Sequence, residues 1–195
     1  MSKVAVFGGS FDPIHKSHIQ LVKFALDFCD FEKVLFVIAY APPHKSKQYA
    51  NIDDRVAMLK LATEDLPQTE ISLYEALKKE VMYSYQTLDY FQSLYPSYEI
   101  YMIIGSDSLL DLPTWKNIDY LASRYKFMVV KRPGIEIKKD TKYIDRCIFV
   151  QNEANEAEDI SSTRIRQMIK EDSNDVDLFL DKKVYSYIVE RRLYR

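Results

Sequence analysis

Short apolar runs rich in β-branched residues alternate along this chain with stretches of helical period. Val4–Phe7, Val34–Ala39, Ile100–Ile104, Phe127–Val130 and Cys147–Val150 read as strands, and Ile71–Leu73 as a further short one. The long runs are continuous rather than alternating, as expected of strands covered on both faces. Between them, Ile19–Phe28, Asp53–Leu66 and Ser84–Leu94 carry a helix period, defined in the second by Arg55, Met58, Leu59 and Ala62. Two more helices are predicted near Ser162–Lys170 and Val184–Arg192, and Trp115 is predicted to open another. The lysine-rich stretch between the last two strands reads as a loop or hairpin. The acidic segment Gln151–Asp159 reads as a solvated surface loop. Strand–helix alternation predicts an α/β fold, a Rossmann-like doubly wound parallel sheet with a small C-terminal helical extension. No internal repeat or Pro/Gly-rich linker divides it. The expectation is one domain over residues 1–195, with the sheet core in 1–150 and the C-terminal helices in 160–195.

Composition narrows the partners. A net charge of -2 gives no general reason to expect nucleic acid or an acidic membrane surface. No apolar run is long enough to span a bilayer, and no basic leader precedes a long apolar segment. Cys29 and Cys147 are far apart, without metal-type spacing, and read as reduced thiols of a cytoplasmic protein. Monomer and homo-oligomer both remain open.

The rare residues cluster. The chain has 4 Gly, 3 His and 1 Trp, and all three histidines lie in its first quarter. Two of the glycines, Gly8 and Gly9, open the segment GGSFDPIHKSH directly after the first strand. In a parallel sheet, ligands bind at the carboxyl ends of strands. The glycines allow backbone to approach a ligand closely, and the following helix start, near Ser17, favours an anion. His15 and His18 are spaced to face the same way and can donate to phosphate oxygens. A tight turn with two surface histidines is the plain alternative. Metal ligation by the pair is disfavoured, because no Cys or carboxylate completes a set. The segment is neither a P-loop nor G-x-G-x-x-G.

A second motif, ISSTRIR, covers Ile160–Arg166 and begins a helix with three hydroxyl residues. Ser161 or Ser162 is a natural N-cap. Arg164 and Arg166 place positive charge where the helix dipole disfavours it, which a nearby anion would explain.

GGSFDPIHKSH resembles the G-[ST]-F-D-P-x-H-x-G-H motif of the nucleotidyltransferase superfamily, which is related to class I aminoacyl-tRNA synthetases. ISSTRIR is similar to that superfamily's I-S-S-T-x-I-R signature. The resemblance implies that Gly8, Gly9, Ser10, Phe11, Ser17, Ile160, Ser161, Ser162, Thr163 and Arg166 surround ATP. It also implies that His15, His18 and Arg166 are catalytic, with His15 toward the α-phosphate, His18 toward the leaving phosphates and Arg166 facing the triphosphate. Ser17 departs from the pattern, standing where the superfamily has glycine; it is the smallest polar replacement and can also cap the helix.

Four further segments carry a narrower resemblance. They are APPHKSK (Ala41–Lys47), YSYQTL (Tyr83–Leu88), GSDSLLDLPTW (Gly105–Trp115) and VVKRPG (Val129–Gly134). Together they look like the bacterial nicotinate-nucleotide adenylyltransferases, a likeness that extends to the closing VYSYIVERRLY. By that resemblance Trp115 stacks on the nicotinate ring, while His44, Lys45, Gly105, Asp107 and Arg132 lie around the mononucleotide. Ser84 stands for a family threonine near the pyridine carboxylate. Taken residue by residue, a basic surface loop at His44–Lys45 and a packed indole at Trp115 are the plain alternatives.

The implied reaction joins ATP to nicotinate mononucleotide, giving nicotinate adenine dinucleotide and pyrophosphate for NAD biosynthesis. Magnesium is expected with ATP, held by phosphates and water rather than by a protein cage. A phosphate nucleophile is already anionic, so no general base is called for; positioning and charge neutralisation carry the chemistry. The acid substrate is expected to be preferred by a pocket of backbone N–H donors without an anion. Competing readings are adenylyl transfer to nicotinamide mononucleotide or phosphopantetheine, and a nucleotide-binding module without catalysis. A tRNA-ligase fragment would need more length and a basic surface.

Overall fold

The computed structural model describes residues 2–40, 48–132, 134–150 and 160–195. The chain begins with strand β1 (Lys3–Gly9), helix α1 (Lys16–Phe28), β2 (Phe31–Ile38), α2 (Ile52–Thr63) and β3 (Thr69–Ser72). A short helix α3 (Tyr74–Lys78), then α4 (Ser84–Leu94), β4 (Glu99–Gly105) and α5 (Ser106–Asp111) follow. The remainder is α6 (Ile118–Arg124), β5 (Lys126–Val130), β6 (Cys147–Val150), α7 (Ser162–Lys170), α8 (Val176–Phe179) and α9 (Lys182–Glu190).

All six strands are parallel, in the order β3-β2-β1-β4-β5-β6. The order reverses between β1 and β4, and that junction is where such sheets take ligands. The register shows how the opening arises. β1 stays paired with β2 to the end, Gly9 opposite Ile38. Its pairing with β4 stops at Val6 opposite Met102. Phe7–Gly9 therefore part from Ile103–Gly105, and a cleft opens between them.

Alternate residues of the strands feed two cores, as the continuous apolar runs predicted. Ala5, Phe7, Val34, Phe36 and Ile38 face one side, packed with Leu21 and Val22 of α1 and Met58 and Leu59 of α2. Ile165, Val184 and Ile188 from the C-terminal helices join that same core. Val4, Val6, Leu35 and Val37 face the other side, with Leu88 and Phe91 of α4 and Leu121 of α6.

One local expectation changes. Trp115 does not open a helix: it follows a 3-10 turn at Leu112–Thr114, and α6 begins at Ile118. Pro113 fits the start of that short turn, and Asn117, with φ 55, sits in the left-handed region just before α6. Of the two readings of the lysine-rich stretch before β6, the loop holds among the described residues, with a 3-10 turn at Ile144–Arg146. The predicted loop Gln151–Asp159 lies outside the described residues. The two cysteines are unpaired; burial pushes the Cys147 thiol up to about 12, which keeps it inert.

Candidate active site

The glycine turn after β1 is built on buried side chains. Phe11, 1% exposed, takes φ 47 and turns the backbone inward. Its ring meets Phe7 and Phe36 at centroid distances of 5.5 Å. A Cβ on Gly9 would come within 2.9 Å of that ring, so glycine is required there. Asp12, also buried, accepts from the Tyr49 backbone N–H at 2.8 Å and from Ala50 N–H at 3.1 Å. The first loop is thereby tied to the segment leading into α2.

His15 is the N-cap of α1, and its ring lies 3.6 Å from that of His18. The His15 backbone N–H donates to His18 Nδ1 at 3.3 Å. An Nδ1 that accepts leaves the proton of a neutral imidazole on Nε2, so His18 carries its donor on the far side of the ring. Phe11 holds that ring edge-on at 5.3 Å.

The second motif docks on the first. Ser161 caps α7, accepting from Arg164 N–H at 3.2 Å. Ser162 donates to the Pro13 carbonyl at 3.0 Å. Arg166 is buried and turned toward the protein: Nη1 donates to the Asp12 carbonyl at 2.7 Å, and Nη2 to Thr163 Oγ1 at 3.0 Å. Its guanidinium lies 4.1 Å over the Tyr49 ring. Of the expected ATP ligands, Arg166 and Thr163 are thus engaged with each other.

A cleft of about 500 Å³ occupies the β1/β4 opening. Gly8, Gly9, His18, Ser84, Trp115 and Arg132 are among its lining residues. Gly105 is among its walls. Asp107 stands beside it, its Oδ1 3.3 Å from Arg132 Nε. A Cβ on Gly105 would overlap Asp107 Oδ1 and lie 2.8 Å from Arg132 Nε, so this glycine makes room for the ion pair. The start of α4, at Tyr83 and Ser84, also lines the cleft and brings a positive dipole end to it. Lys116 lies 4.5 Å over the Tyr83 ring.

The expected residues do not all share this cleft. His15, Ser17 and Ile160 line a separate hollow of about 680 Å³ on the other side of α1. Ser10 and Phe11 are buried beneath the turn. His44 and Lys45 lie outside the described residues. The expectation of a pocket without an anion is corrected by Glu75, which lines the cleft and accepts from Thr87 Oγ1 at 2.6 Å. Burial holds its carboxyl above the usual range. Among the described residues, no three His, Cys, Asp or Glu side chains are grouped to hold a metal.

The profile of the cytidylyltransferase-like family matches residues 6–168. A protein of Endomicrobium trichonymphae, named as a probable nicotinate-nucleotide adenylyltransferase, is 63% identical, with all of both chains covered. One of Clostridium tetani with the same name is 35% identical, again over the whole of both chains. The chain belongs to the cytidylyltransferase-like family, in its nicotinate-nucleotide adenylyltransferase branch. The fold agrees with that membership. The nicotinic acid mononucleotide adenylyltransferase of Plasmodium falciparum, solved in complex with NaAD, superposes with a TM-score of 0.87 at 21% identity. That match covers 100% of this chain and 98% of that one.

Arg55 had no place among the expected site residues of this family member, yet it lies directly beneath the site. It is 2% exposed, and Nη1 bridges the carbonyls of Ser10, at 2.9 Å, and Ala39, at 2.8 Å. Those two residues open the loops that follow the adjacent strands β1 and β2. Tyr194 was likewise missed; its hydroxyl donates to Asp12 Oδ1 at 2.7 Å. A charged residue on the apolar face of the predicted α2 was the one available sign for Arg55. Tyr194 closes the segment VYSYIVERRLY, which carried the family likeness but indicated no role for it.

Proposed function

We propose that this chain transfers the adenylyl group of ATP to nicotinate mononucleotide, releasing pyrophosphate and forming nicotinate adenine dinucleotide. The observation that carries the reading is the single cleft at the sheet's switch point. It brings the glycine turn and His18 into one cavity with Trp115, Ser84 and Arg132. Such a cleft suits a phosphate-linked pair of substrates laid across the strand ends. The names of the full-length relatives agree with the reading.

In this mechanism an oxygen of the mononucleotide phosphate attacks the α-phosphorus of ATP. The bond from that phosphorus to the bridging oxygen breaks, and pyrophosphate leaves in line. The chain's work is to align two polyanions and offset their charge. His18, on the cleft wall with its donor on Nε2, is best placed at the α-phosphorus. His15, beside it but facing the hollow across α1, falls to the leaving phosphates. This exchanges the roles assigned from the sequence. Arg166 fixes the loop and adds positive charge behind it. Trp115 offers a face for the pyridine ring, and the α4 N-terminus favours its carboxylate over a carboxamide. Magnesium arrives with ATP as part of the substrate. Asp12 is engaged by backbone donors and by Tyr194, and Asp107 Oδ1 is paired with Arg132.

The test is pyrophosphate release from purified protein with ATP and magnesium. Nicotinate mononucleotide, nicotinamide mononucleotide and phosphopantetheine are compared as acceptors. Preference for the acid is expected. ATP binding without release from any acceptor would replace this reading with a binding module. Trp115 is the only tryptophan, so quenching of its fluorescence by the mononucleotide reports directly on the ring site.

A further inference from the structure

Asp12 is 3% exposed and lies in the loop that carries both active-site histidines. Three other parts of the chain meet on it. Oδ2 accepts from Tyr49 N–H at 2.8 Å; Oδ1 accepts from Ala50 N–H at 3.1 Å and from the Tyr194 hydroxyl at 2.7 Å. Its own carbonyl accepts from Arg166 Nη1 at 2.7 Å. We propose that Tyr194 is a positioning residue for the nucleotide end of the site, acting through Asp12 on the loop of His15 and His18.

The argument follows from donors and their alternatives. A buried carboxylate needs its lone pairs satisfied, because water cannot reach it. Removing the Tyr194 hydroxyl leaves Oδ1 with Ala50 N–H alone. Burial and the Asp12 charge both push the Tyr194 phenol upward, so it stays a donor at every working pH. A loosened Asp12 disturbs two things at once. The loop shifts just ahead of Pro13, whose carbonyl receives Ser162, and so moves His15 and His18. Tyr49 shifts as well, and its ring carries the Arg166 guanidinium at 4.1 Å. Trp115, Ser84 and Arg132 stand across the β1/β4 opening and make no hydrogen bond to Asp12. The effect should therefore be one-sided, felt by ATP and not by the mononucleotide.

Tyr187 supplies the control. Its hydroxyl donates to Asp54 Oδ1 at 2.8 Å, another buried carboxylate in the same α2–α9 packing but outside the loop. Tyr194→Phe and Tyr187→Phe are compared with wild type in three readouts. These are the ATP dissociation constant by calorimetric titration with magnesium, the mononucleotide constant by Trp115 quenching, and kcat per folded enzyme. Tyr194→Phe is expected to weaken ATP binding at least fivefold and to lower kcat at least about tenfold, within the roughly 100-fold that an ångström-scale misplacement can cost. Its mononucleotide constant should stay within twofold. Tyr187→Phe is expected to lower the unfolding midpoint while all three constants stay within twofold. Unchanged ATP binding and kcat in Tyr194→Phe, or equal shifts in both variants, would overturn the proposal. It rests on the adenylyl-transfer reading. Absent turnover in wild type would defeat that reading alone, and the ATP constants would still judge Tyr194.

Discussion

Replacing Arg55 with methionine removes a charge from the interior while nearly keeping the length of the side chain. Two hydrogen bonds from one guanidinium nitrogen are lost, to Ser10 O and Ala39 O. Each such charge-assisted bond contributes about 1.5–3 kcal/mol. The Asp12 carboxylate also loses a neighbouring cation, the Coulombic partner of Arg55. Against this, burial of the guanidinium is itself costly and pulls its pKa down, and methionine avoids that cost. Breaking one side of a buried ionic arrangement costs about 3–5 kcal/mol, and that is the loss expected here. In urea, with a slope of about 2 kcal/mol/M, the midpoint should fall by about 2 M. Circular dichroism and Trp115 fluorescence should follow one transition. If the variant does not fold, Arg55→Lys retains the charge but not the planar fork, and should lose about 1–2 kcal/mol. A midpoint shift under about 0.5 M for Arg55→Met would mean that a hydrophobic filler serves as well, and the reasoning would fail.

Other expectations follow from single contacts. Gly105→Ala forces Asp107 and Arg132 apart; the Michaelis constant for nicotinate mononucleotide should rise about tenfold, with that for ATP little changed, and initial rates measure both. His18→Ala should lower turnover by at least about 100-fold with an unchanged circular dichroism spectrum; near-normal turnover would remove His18 from the mechanism. Glu75 has a folded-state pKa raised above 4.5 by burial, so its ionisation weakens the fold as pH climbs through 4.5 to the raised value. Glu75→Gln should therefore gain stability relative to wild type between pH 4 and pH 7, and denaturation at both pH values would show it.

The sheet was readable because buried strands need unbroken apolar runs. Phe127–Val130 and Cys147–Val150 were bounded within a residue of their observed limits. Helix α4 was bounded to the residue because turn residues and periodicity agree there. Helices α3 and α5 were missed: five and six residues are too few to establish a period. Leu77, 74% exposed, carried no inward signal either. At the site, glycine pairs and histidine spacing were visible, since a close approach and a donor pair each restrict residue type. What joins them was not. Whether the Arg55 guanidinium bonds loop carbonyls or snorkels to water is decided by the loops across from it. That His18 lines the cleft while the adjoining His15 lines the neighbouring hollow depends on ring orientation, which spacing alone leaves open.

The Asp12 junction also sets a timetable. Arg166 reaches it across 154 residues of sequence and Tyr194 across 182. During synthesis the glycine turn and its histidines leave the ribosome first, and β1 and β2 are available to pair early. The groups that seat the loop emerge much later. A nascent chain halted between β6 and α7 has every strand of the sheet but neither of these clasps. Such a chain should be unable to hold the histidine loop in its working position until α7 and the Tyr194 segment fold back onto Asp12.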